Sequence, residues 1–152
     1  MTTTNSENKH TETILVIEHD SMLREGIRSI LEVERYHVIE APDATVGCEL
    51  ACELHPELII CAVNLPVQNG YETLSLLRKN GRTADIPVIL VSDKWVDQPM
   101  VRFGMSLGAS DILIRPYKAT DLLGSIHARL EYRRAVAAYG EAKIRRLRGS
   151  EL

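Results

Sequence analysis

Five short apolar runs, rich in branched side chains, recur along the chain at Ile14–Ile17, Tyr36–Ile39, Leu58–Ala62, Val88–Val91 and Ile112–Ile114. None exceeds five residues, the length and composition of strands buried on both faces. Between them lie segments with helical spacing. Met22, Leu23, Ile27, Ile30 and Leu31 form one apolar stripe, with Asp20 or Ser21 as N-cap. Val46, Leu50 and Leu54 form a second behind Asp43, and Tyr71, Leu74 and Leu77 a third, closed by Asn80-Gly81. Met100, Phe103 and Leu107 form a fourth, closed by Gly108; Leu122, Leu123, Ile126 and Leu130 form the fifth. Strands alternating with helices in this way predict an α/β fold of right-handed βαβ units around a parallel sheet. In such sheets, sites form at the carboxyl ends of the strands. The places to look are therefore residues 18–20, 62–64, 92–94 and 115–117.

Composition excludes several classes. No stretch approaches the ~18 apolar residues of a membrane helix, and the polar start MTTTNSENKHT lacks a signal peptide's apolar core. Cys48, Cys52 and Cys61 are odd in number and form no CxxC, which suits reduced thiols of a cytoplasmic protein. The net charge of −3 hides an asymmetry: residues 118–152 hold eight Lys/Arg against four Asp/Glu, leaving residues 1–117 with ten basic and seventeen acidic side chains. No glycine-rich phosphate loop and no Ser/His/Asp arrangement is present.

The strand ends carry a family resemblance. ILVIEHD, ELIICAVNLPVQNGYE, IPVILVS and GASDILIRPY, in that order, resemble the response-regulator receiver domain of two-component signalling, from about Thr13 to Leu130. LPVQNGYE is similar to the family's MPGMDGxE loop, and Arg-Pro-Tyr to its Lys-Pro-Phe. The resemblance implies a flavodoxin-like, doubly wound (βα)5 sheet with strand order 2-1-3-4-5. Residues 1–12 then form a disordered polar tail, 13–130 the receiver-like domain and 131–152 a basic helical extension of the last helix.

The family's chemistry does not carry over residue by residue. A receiver takes its phosphoryl group on an aspartate at the end of the third strand, where a carboxylate attacks phosphorus. Ala62 stands there. The family's acidic pair for Mg²⁺ is Glu18 and His19 in this chain, too poor an oxygen set for a hard cation, so Mg²⁺ is not expected. Asn64 lies two residues beyond Ala62, Ser92 matches the family's hydroxyl residue, and Arg115 replaces the family's lysine. Pro116 implies a cis peptide after Arg115. Ile112 takes the place of the aromatic switch residue. These departures together predict a pseudo-receiver with no catalytic residue, not an enzyme, acting in phosphorelay signalling by protein contact. With Ala62 vacating the pocket, Glu18 and Arg115 could pair directly; the alternative is two solvated side chains. A rival reading has phosphorylation at a noncanonical residue, or a metal near His19. An unrelated small α/β enzyme is the third.

Partner surfaces follow from the same resemblance. The face made by the fourth helix, fifth strand and fifth helix draws on Met100, Val101, Met105, Ile112, Tyr117 and Leu122, with core packing as the alternative for the apolar members. Trp95 is either a lid over the pocket or a partner anchor. Arg133, Arg134, Lys143, Arg145, Arg146 and Arg148 make the extension basic, with a thin apolar seam of Ala137, Ile144 and Leu147. It reads as a partner helix for another signalling protein or a second copy, as a plain solvated extension, or, least favoured for want of a DNA-binding fold, as a nucleic-acid contact.

Overall fold

Local signals place the elements. The side chain of Asp20 accepts from the backbone N–H groups of Met22 and Leu23, and that of Asp43 from Val46, so both begin their helices as N-caps. Asn69 and Glu72 cap the third helix reciprocally. The computed structural model describes residues 12–93 and 98–150. In chain order they form β1 (Thr13–Ile17), α1 (Ser21–Val33), β2 (His37–Ala41), α2 (Ala44–Leu54), β3 (Leu58–Ala62), α3 (Gly70–Lys79), β4 (Val88–Ser92), α4 (Gln98–Ser106), β5 (Asp111–Ile114) and α5 (Ala119–Ser150).

All strand pairings are parallel, in the expected order β2-β1-β3-β4-β5. α2, α3 and α4 cover one face through Ala44, Ala51, Leu74, Leu77 and, just past the end of α4, Leu107; α1 and α5 cover the other through Ile27, Leu31, Leu122, Ile126 and Leu130. The central strands β3 and β4 are buried throughout, but β2 and β5, being edges, are only partly covered. This corrects the expectation of five doubly buried strands.

Helix faces differ more. Met22 is 81% exposed and Leu23 half in solvent, so α1 is buried only from Ile27 onward. In α2 the face on the sheet is Ala44, Gly47 and Ala51, while Leu54 is 52% exposed. α3 ends at Asn80 in an extended conformation without the left-handed glycine cap expected at Gly81. Gly108 does adopt a positive φ of 100° after α4. α5 runs unbroken across residues 130–131, so the basic extension is continuous with the last helix of the sheet. Among the described residues no helix is long and apolar enough to cross a membrane.

Candidate functional site

The ends of β1, β3, β4 and β5 line a small cavity of about 160 Å³. Glu18, His19, Asp20, Ala62, Asn64, Asp93 and Arg115 surround it, so most of the site residues expected from sequence converge. Glu18 follows β1 and is 3% exposed. Its Oε1 accepts from Arg115 Nη2 at 3.0 Å and its Oε2 from the Asp20 backbone N–H at 3.0 Å. The pair is thus a single charge-assisted contact rather than a bidentate fork, because the second carboxylate oxygen is taken by the backbone. β1 and β5 are not neighbours in the sheet, so this contact bridges the ends of β3 and β4. Ala62 closes β3 at 4% exposure and contributes only a methyl group.

The remaining parts are structural in character. Ser92 ends β4 and is buried. The Asn64 amide donates to Asp93 Oδ1 at 2.8 Å, tying the loops after β3 and β4 together. Pro116 follows a cis peptide, as expected from sequence. His19 is exposed and faces a second opening with Pro42, Asp43, Pro66 and Val67. Among the described residues no group of three or more His, Cys, Asp or Glu side chains is placed to hold a metal ion.

Sequence reasoning missed Arg24. Its Nη1 donates to the Glu18 carbonyl at 2.7 Å and its Nε to Glu40 at 3.1 Å, while Arg28 reaches the other Glu40 oxygen at 2.8 Å. The signal was available: Arg24 and Arg28 lie four apart on one face of α1, beside the acidic edge strand. It also missed the strain at Val67. This β-branched residue holds φ 68° in the loop where the resembled motif has glycine, with its side chain fully exposed. A left-handed conformation costs a non-glycine residue about 1–2 kcal/mol. Val67→Gly is therefore expected to raise stability by about 1 kcal/mol, less the glycine's greater unfolded-state entropy, measured as a higher urea midpoint.

The expected partner face needs correcting. Met100 and Met105 are exposed, joined by Phe103, and Val101 is half-buried. Leu122 is fully buried in the core between α1, α5 and the sheet. Tyr117 packs on that same side and lines a groove with Met22, Leu23 and Ile30 of α1. Burial raises its phenol pKa, opposed by the Arg115 guanidinium beside it. Ile112 packs against the core on the α4 side. The reason is geometric: leaving β5, the chain enters α5 on the face opposite α4. Trp95 lies outside the described residues, as does the tail over 1–11.

The basic helix also divides. Arg133 Nη1 donates to the Glu57 carbonyl at 2.8 Å and approaches Asp85, and Arg134 pairs with Glu131 and Glu12. These two anchor α5 to the body. Lys143, Arg145, Arg146 and Arg148 are exposed beyond it, with Ile144 and Leu147 of the seam.

Comparison with known proteins gives consistent matches. The family model described as Response regulator receiver domain matches residues 14–127. The chain is 33% identical over 117 residues to the DNA-binding dual master transcriptional regulator RpaA of Synechocystis, covering 77% of this chain and 48% of that protein. It is 34% identical over 129 residues to the nitrate/nitrite response regulator NarL of Escherichia coli, covering 79% and 55%. The chain thus spans about half the length of the curated relatives it matches. Among solved structures it superposes on a CheY-like receiver domain protein from Methanospirillum hungatei with TM-score 0.76 at 24% identity, covering 83% of this chain and 98% of that one.

Proposed function

The chain belongs to the response-regulator receiver family, and from that premise we propose that it is an atypical receiver, taking no phosphoryl group and working by contact with other signalling proteins. The observation that carries this reading is the end of β3: Ala62 offers no nucleophile. The charge that would meet a phosphoryl group is engaged elsewhere, since Arg115 is paired with Glu18.

The family's Mg²⁺ does not fit this donor set. Such an ion needs several oxygen ligands in near-octahedral geometry. Here Glu18 is held by Arg115 and a backbone N–H, Asp20 accepts from two amides of α1, and Ala62 supplies no oxygen. We read the chain as a non-enzymatic module. Its place is the cytoplasm.

Contact surfaces remain for output. α4 presents Met100, Phe103 and Met105, each more than 40% exposed, and the distal half of α5 presents Ile144 and Leu147 among its cations. Clustered apolar residues with a charged rim suit a protein partner or a second copy. Nucleic acid is the less favoured reading, because Arg134 is committed to two of the chain's own carboxylates and the exposed cations are interleaved with Ile144 and Leu147.

Acetyl phosphate with Mg²⁺ followed by intact mass tests the reading. The expected spectrum shows the unmodified mass alone; a stable gain of about 80 Da, one phosphoryl group, overturns it. That result would favour phosphorylation at a residue such as His19.

A further inference from the structure

At the opposite pole from the receiver site, the amino ends of β4 and β5 meet α5 around a cavity of about 420 Å³. This lies in the size range of small-molecule sites. α5 contributes Arg129, Tyr132, Arg133 and Val136, which share one helical face. Opposite them stand Arg78 of α3, the loop residues Ala84, Asp85 and Pro87, and Ser110. Three guanidinium groups therefore converge where one carboxylate, the 76% exposed Asp85, offers a counter-charge. In a body that is acidic overall, this is a local reversal of sign.

The three cations are not equivalent. Arg78 spends its nitrogens on the carbonyls of Gly108, Ala84 and Ile86, which hold the approaches to β4 and β5 in place. Those bonds satisfy its donors, and among the described residues its charge is set only against the exposed Asp85. Arg133 donates to Glu57 and lies 3.6 Å from Asp85. Arg129 has no hydrogen bond or ion pair among the described residues, and its Nε is buried without a partner. A half-buried guanidinium with no acceptor is costly, and a planar fork of donors matches the oxygens of phosphate.

We propose that this cavity binds a phosphate-bearing small molecule, its oxygens held by Arg129 and Arg133 and its body laid against Tyr132, Val136 and Pro87. The site is distinct from the strand-end pocket at Ala62 and goes beyond the reading of that pocket. Because it joins α5 to the loops before β4 and β5, an occupant fixes the helix where it leaves the domain.

The test is calorimetric titration of the whole chain with inorganic pyrophosphate and, separately, a nucleoside monophosphate, against chloride at equal ionic strength. Saturable binding by either probe is expected. Tighter binding of the ester assigns a nucleotide-like ligand; equal or tighter binding of pyrophosphate assigns an inorganic polyphosphate and overturns the packing of a ligand body against Tyr132, Val136 and Pro87. Arg129→Gln is expected to weaken binding at least tenfold without lowering the melting temperature, since it removes an unpaired charge. Val136→Glu, on an exposed position at the cavity wall, should weaken it by repulsion and serves if the first variant misfolds. Amide NMR shifts should move at Ser110 and Tyr132 and stay fixed at Ala62 and Asn64. Absence of saturable binding beyond the salt control overturns the proposal, as do full affinity in the variants or shifts confined to Ala62 and Asn64.

Discussion

Arg115→Met is expected to destabilise the chain by about 3 kcal/mol, a fall in Tm on the order of 10 °C. Glu18 has a side chain only 4% exposed, and among the described residues Arg115 is its one cationic partner, at 3.0 Å. Removing the guanidinium leaves a buried carboxylate with, among the described residues, the Asp20 N–H alone. Breaking a buried pair costs about 3–5 kcal/mol; the lower end applies because Arg115 is 17% exposed and water reaches part of the contact. Glu18→Gln should cost less, about 1–2 kcal/mol, since the amide still accepts from the backbone. Glu18→Leu with Arg115→Met should recover much of the loss, because two apolar groups leave no charge unpaired. Chemical denaturation of the four proteins decides it. Single losses under about 0.5 kcal/mol mean that the two side chains are merely solvated neighbours.

The Glu18–Arg115 contact ties the end of β1 to the segment that follows β5. The bridge from β1 to β5 passes over the ends of β3 and β4, and it does so past a methyl group at Ala62. A carboxylate at that position would compete with Glu18 for Arg115. The alanine at the end of β3 and the Glu18–Arg115 pair are in this sense one feature.

The strands were legible in the sequence because β1, β3 and β4 are buried on both faces, which writes a continuous apolar run. Helix faces were less so. In α2, Gly47 lies so close to Ile17 that a Cβ there would come within 2.5 Å of its Cδ1, so small residues rather than leucines face the sheet. An apolar stripe marks what can be buried, and the distance between helix and sheet decides what is. The strand-end residues could be found from their motifs, and the Glu18–Arg115 pair from the vacancy at Ala62. Arg24 on the Glu18 carbonyl, Arg133 on the Glu57 carbonyl and the unpaired Arg129 depend on chain segments brought together only by folding. A run of arginines looks the same whether its members are spent on the body or free. Tyr117 and Leu122 were misplaced for a related reason, since sequence order does not say which face a chain takes on leaving an edge strand.

Gly70→Ala should be at least as damaging as the loss of Arg115, at about 3 kcal/mol or more. Gly70 opens α3, with its N–H donating to the Val63 carbonyl at 2.8 Å, directly behind the end of β3. A Cβ there would lie 2.4 Å from the Ala62 carbonyl oxygen and 2.7 Å from Val63 Cα, both backbone atoms. Neither can turn aside as a side chain would. Either α3 must retreat from the sheet, uncovering Tyr71 and Leu74, or the end of β3 must move and break the ladder to β4. Gly104→Ala is the control. Its Cβ would meet Ile112 Cδ1 at 2.7 Å, the far end of a flexible side chain on an edge strand, so a cost below about 1.5 kcal/mol is expected. Urea midpoints rank the two variants, and hydrogen exchange at the Gly70 amide reports whether its bond to Val63 has opened. Equal costs for the two alanines would mean that the β3 end yields easily. The strand-end pocket would then not be the rigid frame on which the Glu18–Arg115 bridge depends.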